Sequence, residues 1–548
     1  MHSTMQDEPL TIASILRFGA SVFGDATVFS ARPGGTPVRR TYLEIAERTQ
    51  RLASALRGLG VSGDQRVATL MWNNVEHLEA YLAVPSMGAV LHTVNVRLSP
   101  EQITYIVNHA EDQVIIADGS LLPTLAGLLG SMPTVRAVIV TGDSDLSAVE
   151  AAGKQVLDYE EVLAASAGVF DWPRDLDERS AAAMCYTSGT TGRPKGVVYS
   201  HRSCWLHAVS TLTANNNGGL SWHDRPMPVV PMFHANAWGM PYAAFSAGAG
   251  LVMPDRDLTA RHLVGLIESE RVTVSAAVPT IWNDVLQYLR KNPGRDMSSL
   301  RTVLCGGSAV PQALIEAFET EFGVTMVQGW GMTETSPVAA VALPPLGATG
   351  ERAIAYRSMT GRQLFGVQAR IVGDAGTELA RNGRSVGELE VRGPWVTGSY
   401  YRDSESENSF RDGWLRTGDV GTIDPQGYIM LTDRSKDVIK SGGEWISSVE
   451  LEGHLMSHPA VLEAVVVGVP DDRWQERPLA AVVIKPGEAV TAEDLVEHLR
   501  PRVARWWLPE RWAFVDQVPK TSVGKFDKKM VRREYADGLF DVSVVGQR

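Results

Sequence analysis

Cysteine is scarce in this chain: three residues, Cys185, Cys204 and Cys305, in 548. An odd count without a C-x-x-C pair supports neither a disulfide framework nor a zinc site, and it suits a reducing cytoplasm. Positive charge is short as well. Lysine and arginine number 51 against 63 aspartates and glutamates, a formal net charge of -12. So acidic a surface repels nucleic acid and anionic membrane, and neither is expected as a main partner. No apolar run approaches the ~20 residues of a membrane helix, so stable membrane insertion is not expected. The first residues lack a basic stretch followed by an apolar one, which argues against a signal peptide. The closing Val-Gly-Gln-Arg is not a peroxisomal address. Internal repeats and low-complexity tracts are absent too.

What is present is the composition of a well-cored globular protein, long enough for three or four structural units at roughly 150 residues each. Residues 41–59 have helical periodicity, with Leu43, Ala46, Leu52, Leu56 and Leu59 read as one face. Residues 64–72 read as a strand and 75–88 as a second helix. Buried strands recur at 112–117, 135–140 and 272–278, and this alternation predicts α/β layers. From about 361 to 431 short alternating strands (368–372, 387–392, 427–431) are separated by Gly, Asp, Asn and Pro turns, a β-rich subdomain. After 435 the pattern predicts a small α+β domain: helices at 449–456 and 492–503, strands at 461–469 and 479–484, and a basic tail from Lys525 to Arg533. The expected division is a large N-terminal domain, 1–434, and a small C-terminal one, 435–548.

The most informative segment is Tyr186-Thr-Ser-Gly-Thr-Thr-Gly-Arg-Pro-Lys-Gly196. Its glycines permit turns that other residues resist. The hydroxyls of Thr187, Ser188, Thr190 and Thr191, the N–H groups around Gly189 and Gly192, and the Lys195 charge together suit a polyphosphate clamp. It is not a Walker A loop, because Pro194 precedes the lysine and Gly196 follows it. The flanks, 183–186 and 197–199, look β-like, so the loop is expected to join two strands. A plain hairpin turn is the alternative, and ten residues of this kind in order argue against it.

The segment resembles the phosphate loop of the adenylate-forming superfamily: acyl-CoA synthetases, luciferases and peptide-synthetase adenylation domains. The resemblance runs through most of the chain, in Gly329-Trp-Gly-Met-Thr-Glu-Thr335, Arg416-Thr-Gly-Asp419, Asp433-Arg-Ser-Lys-Asp437, Lys440-Ser-Gly-Gly-Glu-Trp445 and Pro519-Lys-Thr-Ser-Val-Gly-Lys525. It implies a carboxylate attacking the α-phosphate of ATP, followed by a thiol attacking the acyl adenylate. Both partners of the first step are anions, so charge must be cancelled and an in-line geometry held. The resemblance places Glu334 and Thr187 at Mg2+, Thr333 at the α-phosphate, and Thr187 and Thr190 along the β- and γ-phosphates. Gly306, Gly307, Ser308 and Ala309, with Gln328, Gly329, Trp330, Gly331 and Met332, become the nucleotide walls. Trp330 stands where many relatives carry tyrosine and keeps the stacking face. Asp419, assisted by Arg434, would bind the ribose diol; Lys525 would be the catalytic lysine of adenylation; Lys436 would be a hinge. The small domain is expected to be mobile, so that Lys525 withdraws before thiol attack. Lys440, Ser441, Gly442, Gly443, Glu444 and Trp445 would then line the path of the CoA arm.

His234 and Trp238 lie in an apolar run, Pro231–Pro241, that fits an acyl-pocket wall together with Gly306 and Gly331; packing residues are the alternative. The combined pattern most resembles bacterial medium- and long-chain fatty-acid–CoA ligases. The expected substrates are ATP, a fatty acid and CoA, with Mg2+ accompanying ATP. Oligomeric state stays open, a homodimer being common among relatives. Three rivals stand beside this reading. A fatty-acyl-AMP ligase serving a carrier protein is disfavoured by the compact 361–419 region. An oxidative enzyme of luciferase type has no feature in its favour. A non-catalytic binder would need neither Glu334 nor Lys525.

Overall fold

Strands buried on both faces need helices on both sides, and the apolar strands of the first half are arranged in this way. The computed structural model describes residues 1–548 except 2, 143, 151, 188–192, 214, 216–218, 405, 435–436, 442–443, 472, 522–524 and 546–548. A seven-stranded sheet runs in the order Gln155–Asp158, Ala137–Thr141, Val114–Asp118, Arg66–Leu70, Val90–Thr93, Ala181–Tyr186, Gly196–Ser200. All neighbours are parallel except the last pair. Val67, Leu91, Val114 and Ile116 enter one core. Ala68, Leu70, Ile115 and Ala117 enter another on the opposite face. The alternation follows from the period of two along a strand.

A second, six-stranded sheet orders Pro226–Pro228, Val274–Ala277, Thr302–Gly306 and Thr325–Gly331 in parallel. Val338–Val341 and Arg362–Gln363 then follow antiparallel. Arg362–Gln363 therefore belongs to this sheet, although the β-rich subdomain was expected to begin at 361. The β-rich unit itself pairs Gln368–Val372, Gly387–Arg392, Trp414–Ile423 and Phe410–Arg411, with Ile429–Arg434 added along Trp414–Ile423. The strand expected at 427–431 starts two residues later, because Asp424–Gly427 closes a turn: Gly427 N–H donates to the Asp424 carbonyl at 3.0 Å.

The first long helix is Tyr42–Gly58, opened by a capping box in which Thr41 and Glu44 satisfy each other's backbone. Its buried face carries Tyr42, Ile45, Ala46, Thr49, Leu52, Ala53 and Leu56. Leu43 is exposed, against the expectation. It stands nine residues before Leu52, which at 3.6 residues per turn is half a turn away.

The C-terminal region is built on the long hairpin Val461–Asp471 and Gln475–Ile484, extended by Arg511–Phe514 and by Ile439–Ser441 with Glu444–Ile446. Helices Ser448–Met456 and Ala492–Leu499 pack on one face, and Lys528–Ala536 on the other. The second of these helices was expected to run to 503. It stops at Leu499, and Pro501 has no N–H with which to continue the ladder. The basic tail is likewise corrected: residues 528–536 form a helix with Val531 buried. Lys528 is turned inward against Glu452 at 2.9 Å. Val531 and Tyr535 are apolar partners for the sheet, which charge counting overlooks.

Candidate active site

Parallel strands deliver their carboxyl ends to one edge, and the two parallel sheets bring the phosphate-loop stem and the glycine-rich ends there. Thr302–Gly306 lies beside Thr325–Gly331 with Gly306 opposite Gly329. A Cβ on Gly306 would stand 2.3 Å from the Gly329 carbonyl oxygen, so only glycine permits this approach. Gly307 follows at φ +88°, and a Cβ there would meet the Lys525 Cε at 3.4 Å. The lysine named from the far end of the chain thus reaches the strand ends of the six-stranded sheet. Ser308 and Ala309 are exposed. Gln328 is buried, its Oε1 accepting from the Val310 N–H at 2.7 Å; it props the 306–310 turn from beneath.

Asp419 and Arg434 face each other across antiparallel strands. The Arg434 Nε is 3.1 Å from Asp419 Oδ1, and the Trp330 indole N–H donates to Asp419 Oδ2 at 2.8 Å. Each carboxylate oxygen keeps a lone pair for a hydroxyl. Asp419 holds the Arg434 guanidinium above its ordinary range, with Glu334 and Asp437 adding to it against burial. Burial lowers the Lys525 ammonium to about 8; Arg434 pushes the same way, while Asp419 and Glu334 oppose it. Burial takes the His234 imidazole down to about 3, with Lys525 adding to the shift, so His234 is neutral at pH 7. Lys525, Arg434, Asp419, Glu334 and His234 therefore share one electrostatic field.

Thr333 and Glu334 open a short turn, Thr333–Thr335, after Met332. The Thr333 carbonyl accepts from the Tyr199 hydroxyl at 2.6 Å. Glu334 is buried at 6% exposure, and its Oε1 accepts from the Tyr400 hydroxyl at 2.7 Å. Burial and the neighbouring carboxylate push that hydroxyl far above its ordinary value, so it stays a donor. Oε2 accepts no hydrogen bond from a described residue. Among the described residues no three His, Cys, Asp or Glu side chains gather as a metal cage. One inward carboxylate with an open oxygen fits Mg2+ whose other ligands are phosphates and waters.

The stem of the phosphate loop is well defined. Thr187 N–H donates to the Lys195 carbonyl at 2.9 Å, and Lys195 N–H donates to Thr187 Oγ1 at 3.1 Å. Ser188, Gly189, Thr190, Thr191 and Gly192 lie outside the described residues, as do Lys436, Gly442 and Gly443. The Lys195 ammonium pairs with Asp403 at 2.9 Å and sits 4.6 Å from the Tyr400 ring centroid. Tyr400, Asp403 and Tyr199 were missed in the sequence. The signal available was two adjacent tyrosines, 400 and 401, inside a polar turn.

The acyl-pocket candidates meet at Gly306: Trp238 Cη2 is 3.3 Å from where a Gly306 Cβ would be. Ala235, Asn236, Ala237 and Trp238 all have positive φ, from 43° to 56°, a left-handed turn that non-glycine residues adopt at a cost. The Cys185 thiol, 3.1 Å from Asn236 Oδ1, helps hold it. Gly331 belongs to the same edge, its would-be Cβ colliding with the Pro337 carbonyl. The backbones of Lys440, Ser441, Glu444 and Trp445, by contrast, stay within the small sheet. Lys440 pairs with Trp445 and Ser441 with Glu444 along the backbone. Lys440 N–H reaches Glu476 at 2.9 Å, and Ser441 Oγ accepts from Arg477 at 3.1 Å.

Comparison with known proteins identifies the family and the fold. The AMP-binding enzyme family matches residues 17–401, and the AMP-binding enzyme C-terminal domain matches 450–525. A long-chain-fatty-acid–CoA ligase of Thermus thermophilus is 45% identical over 539 residues, 97% of each chain. A 3-methylmercaptopropionyl-CoA ligase of Ruegeria pomeroyi is 43% identical, covering 98% of this chain and 100% of the relative. A medium-chain-fatty-acid–CoA ligase of Ectopseudomonas oleovorans is 40% identical over 98% of both. Among solved structures, an anthranilate CoA ligase in complex with anthranoyl-AMP superposes with a TM-score of 0.87 at 26% identity, covering 98% and 100% of the two chains. The chain belongs to the AMP-binding enzyme family and is an AMP-forming acid–thiol ligase of the adenylate-forming superfamily.

Proposed function

We propose that this ligase joins medium- to long-chain fatty acids to CoA. The acid's carboxylate oxygen bonds to the α-phosphorus of ATP and the bond to pyrophosphate breaks. The CoA sulfur then bonds to the acyl carbon and AMP leaves. The observation that carries the reading is the Lys525 amine at Gly307, inside the field of Asp419, Arg434 and Glu334. A cation there offsets the repulsion between carboxylate and α-phosphate. In this reading Thr187, residues 188–192 and Lys195 hold the terminal phosphates, and Thr333 the α-phosphate. Glu334, with Thr187, holds Mg2+, which would neutralise phosphate charge. Trp330 takes the adenine face and Asp419 the ribose. His234, neutral, faces the carboxylate end of the acyl pocket.

The unit boundary is proposed at 434/435 with Lys436 as its hinge, and the 440–445 hairpin as the later CoA path. The pairing of Lys440 and Ser441 with Trp445 and Glu444 inside the small sheet supports a domain rotation between the two half-reactions. Three buried free thiols suit a reducing compartment, and we place the activity in the cytoplasm.

A shorter acid is the second reading. Trp238 lies against Gly306, and a ring left there closes the space beyond, as a 3-methylmercaptopropionate-sized acid would tolerate. A panel of acids from three to eighteen carbons, with 3-methylmercaptopropionate, decides when AMP and thioester are followed with ATP, Mg2+ and CoA. The highest kcat/KM should fall among medium and long chains. Turnover confined to short acids would move the assignment to the second reading, and adenylate without thioester would sink the CoA step.

A further inference from the structure

We propose that Tyr400 is a positioning residue for adenylation, a single side chain that aims the Glu334 carboxylate with its hydroxyl and seats the Lys195 ammonium on its ring.

Six contacts place it there. The hydroxyl donates to Glu334 Oε1 at 2.7 Å. The Lys195 ammonium stands 4.6 Å from the ring centroid, within the range of a cation–π attraction. The same ammonium is tied to Asp403, three residues on, at 2.9 Å. Next to Tyr400, the Tyr401 N–H donates to the Gly196 carbonyl at 2.8 Å, clipping the segment to the base of the phosphate loop. Glu334 is tied to the region a second time, its own carbonyl accepting from the Thr397 N–H at 2.8 Å. The Tyr400 backbone is itself fixed, its N–H donating to Ser406 Oγ at 2.8 Å. The carboxylate and the cation come from different sheets. Without Tyr400, nothing described on this segment touches both.

The chemistry follows from what each end would hold. A carboxylate that binds a hard cation through one oxygen must have its other oxygen fixed, or the ligand swings. A tyrosine hydroxyl does this without adding charge. Lys195, a flexible ammonium on a four-carbon stem, is held in place by the ring and by Asp403. The segment thereby couples the metal carboxylate to the phosphate-loop cation before ATP arrives, which is the preorganisation that phosphoryl transfer requires.

The inference rests on the adenylation reading but not on which acid is used. ATP binding, measured calorimetrically without acid, therefore tests it even if the acid panel fails. Tyr400→Phe keeps the ring and loses the hydroxyl; Tyr400→Leu loses both. In Tyr400→Phe the gain in ATP affinity conferred by Mg2+ should shrink about 10-fold, the lower end of what a ligand-orienting partner supplies, while binding in EDTA stays unchanged. Tyr400→Leu should also weaken the EDTA arm. Thioester formation from supplied acyl-AMP, which uses neither pyrophosphate nor its metal, should stay within about twofold for both. An unchanged Mg2+ gain in Tyr400→Phe would overturn the proposal. So would an equal loss in both half-reactions, which marks a merely structural residue.

Discussion

The indole N–H of Trp330 donates to Asp419 Oδ2 at 2.8 Å, tying the aromatic wall of the nucleotide site to the carboxylate proposed for the ribose. Base and sugar would thus be read by one connected pair. Trp330→Phe keeps an aromatic face and removes the donor, leaving Asp419 held by Arg434 alone. Losing a hydrogen bond to a charged group costs about 1.5–3 kcal/mol, part of which water recovers at this half-exposed position. The KM for ATP should rise about tenfold, with kcat for adenylation little changed. An unaltered KM would show that the indole is packing only.

Lys525 carries the pH dependence. Its ammonium is lowered to about 8 by burial, so in the free enzyme the charged form is lost as pH rises through that value. The kcat/KM for adenylation reports the free enzyme, and it should fall about tenfold per unit above pH 8. The kcat limb should lie higher, because bound phosphates favour the charged amine. His234, neutral above about 3, should add no inflection between pH 5 and 7. Lys525→Ala should lose adenylation and the alkaline limb together, while thioester formation from supplied acyl-AMP is largely kept. The same limb surviving in Lys525→Ala would assign it to another group.

How much of this was legible beforehand depended on what each residue needed. Motif residues close in sequence, such as 329–334, carry their chemistry in their order, and the structure sets them on one strand end and the turn after it. The Asp419–Arg434 pair was named in advance, although the register that makes them partners is a property of the sheet. The adjacent tyrosines at 400 and 401 mark the turn, but the role of Tyr400 was not legible: its partner Glu334 is 66 residues away, and local periodicity says nothing about contacts over that span. Leu43 was assigned to the wrong face because apolar type was followed instead of angle. Lys528 was read only as part of a basic tail, because a charge is ordinarily solvated; its inward turn depends on a partner, Glu452, on another helix.

Trp238 should govern chain length. Its ring rests against Gly306 on a turn already strained by four consecutive positive φ values. Trp238→Ala leaves the backbone demand nearly unchanged and opens the space. The ratio of kcat/KM for a long over a short acid should rise about tenfold, the scale on which apolar pockets discriminate. A ratio unchanged by the substitution would make the ring a core residue and move the acyl channel elsewhere.

The inward Lys528 makes the last helix a structural element. Its ammonium lies 2.9 Å from Glu452 and 4.0 Å from Asp433, and it donates to the Ser448 hydroxyl. Glu452 in turn accepts from the buried Val466 N–H at 2.8 Å. Removing one partner of a buried pair strands the other, at about 3–5 kcal/mol. Lys528→Met should therefore lower the unfolding free energy of the C-terminal region, read from urea denaturation, by that amount. Lys529→Met, one residue on and exposed, should change it by less than about 0.5 kcal/mol. The double variant Lys528→Met, Glu452→Gln should recover part of the loss, since an amide strands no charge and can still accept from Val466. Equal, small effects at 528 and 529 would mean that the amine escapes to solvent and that the helix is held by its apolar contacts, Val531 and Tyr535.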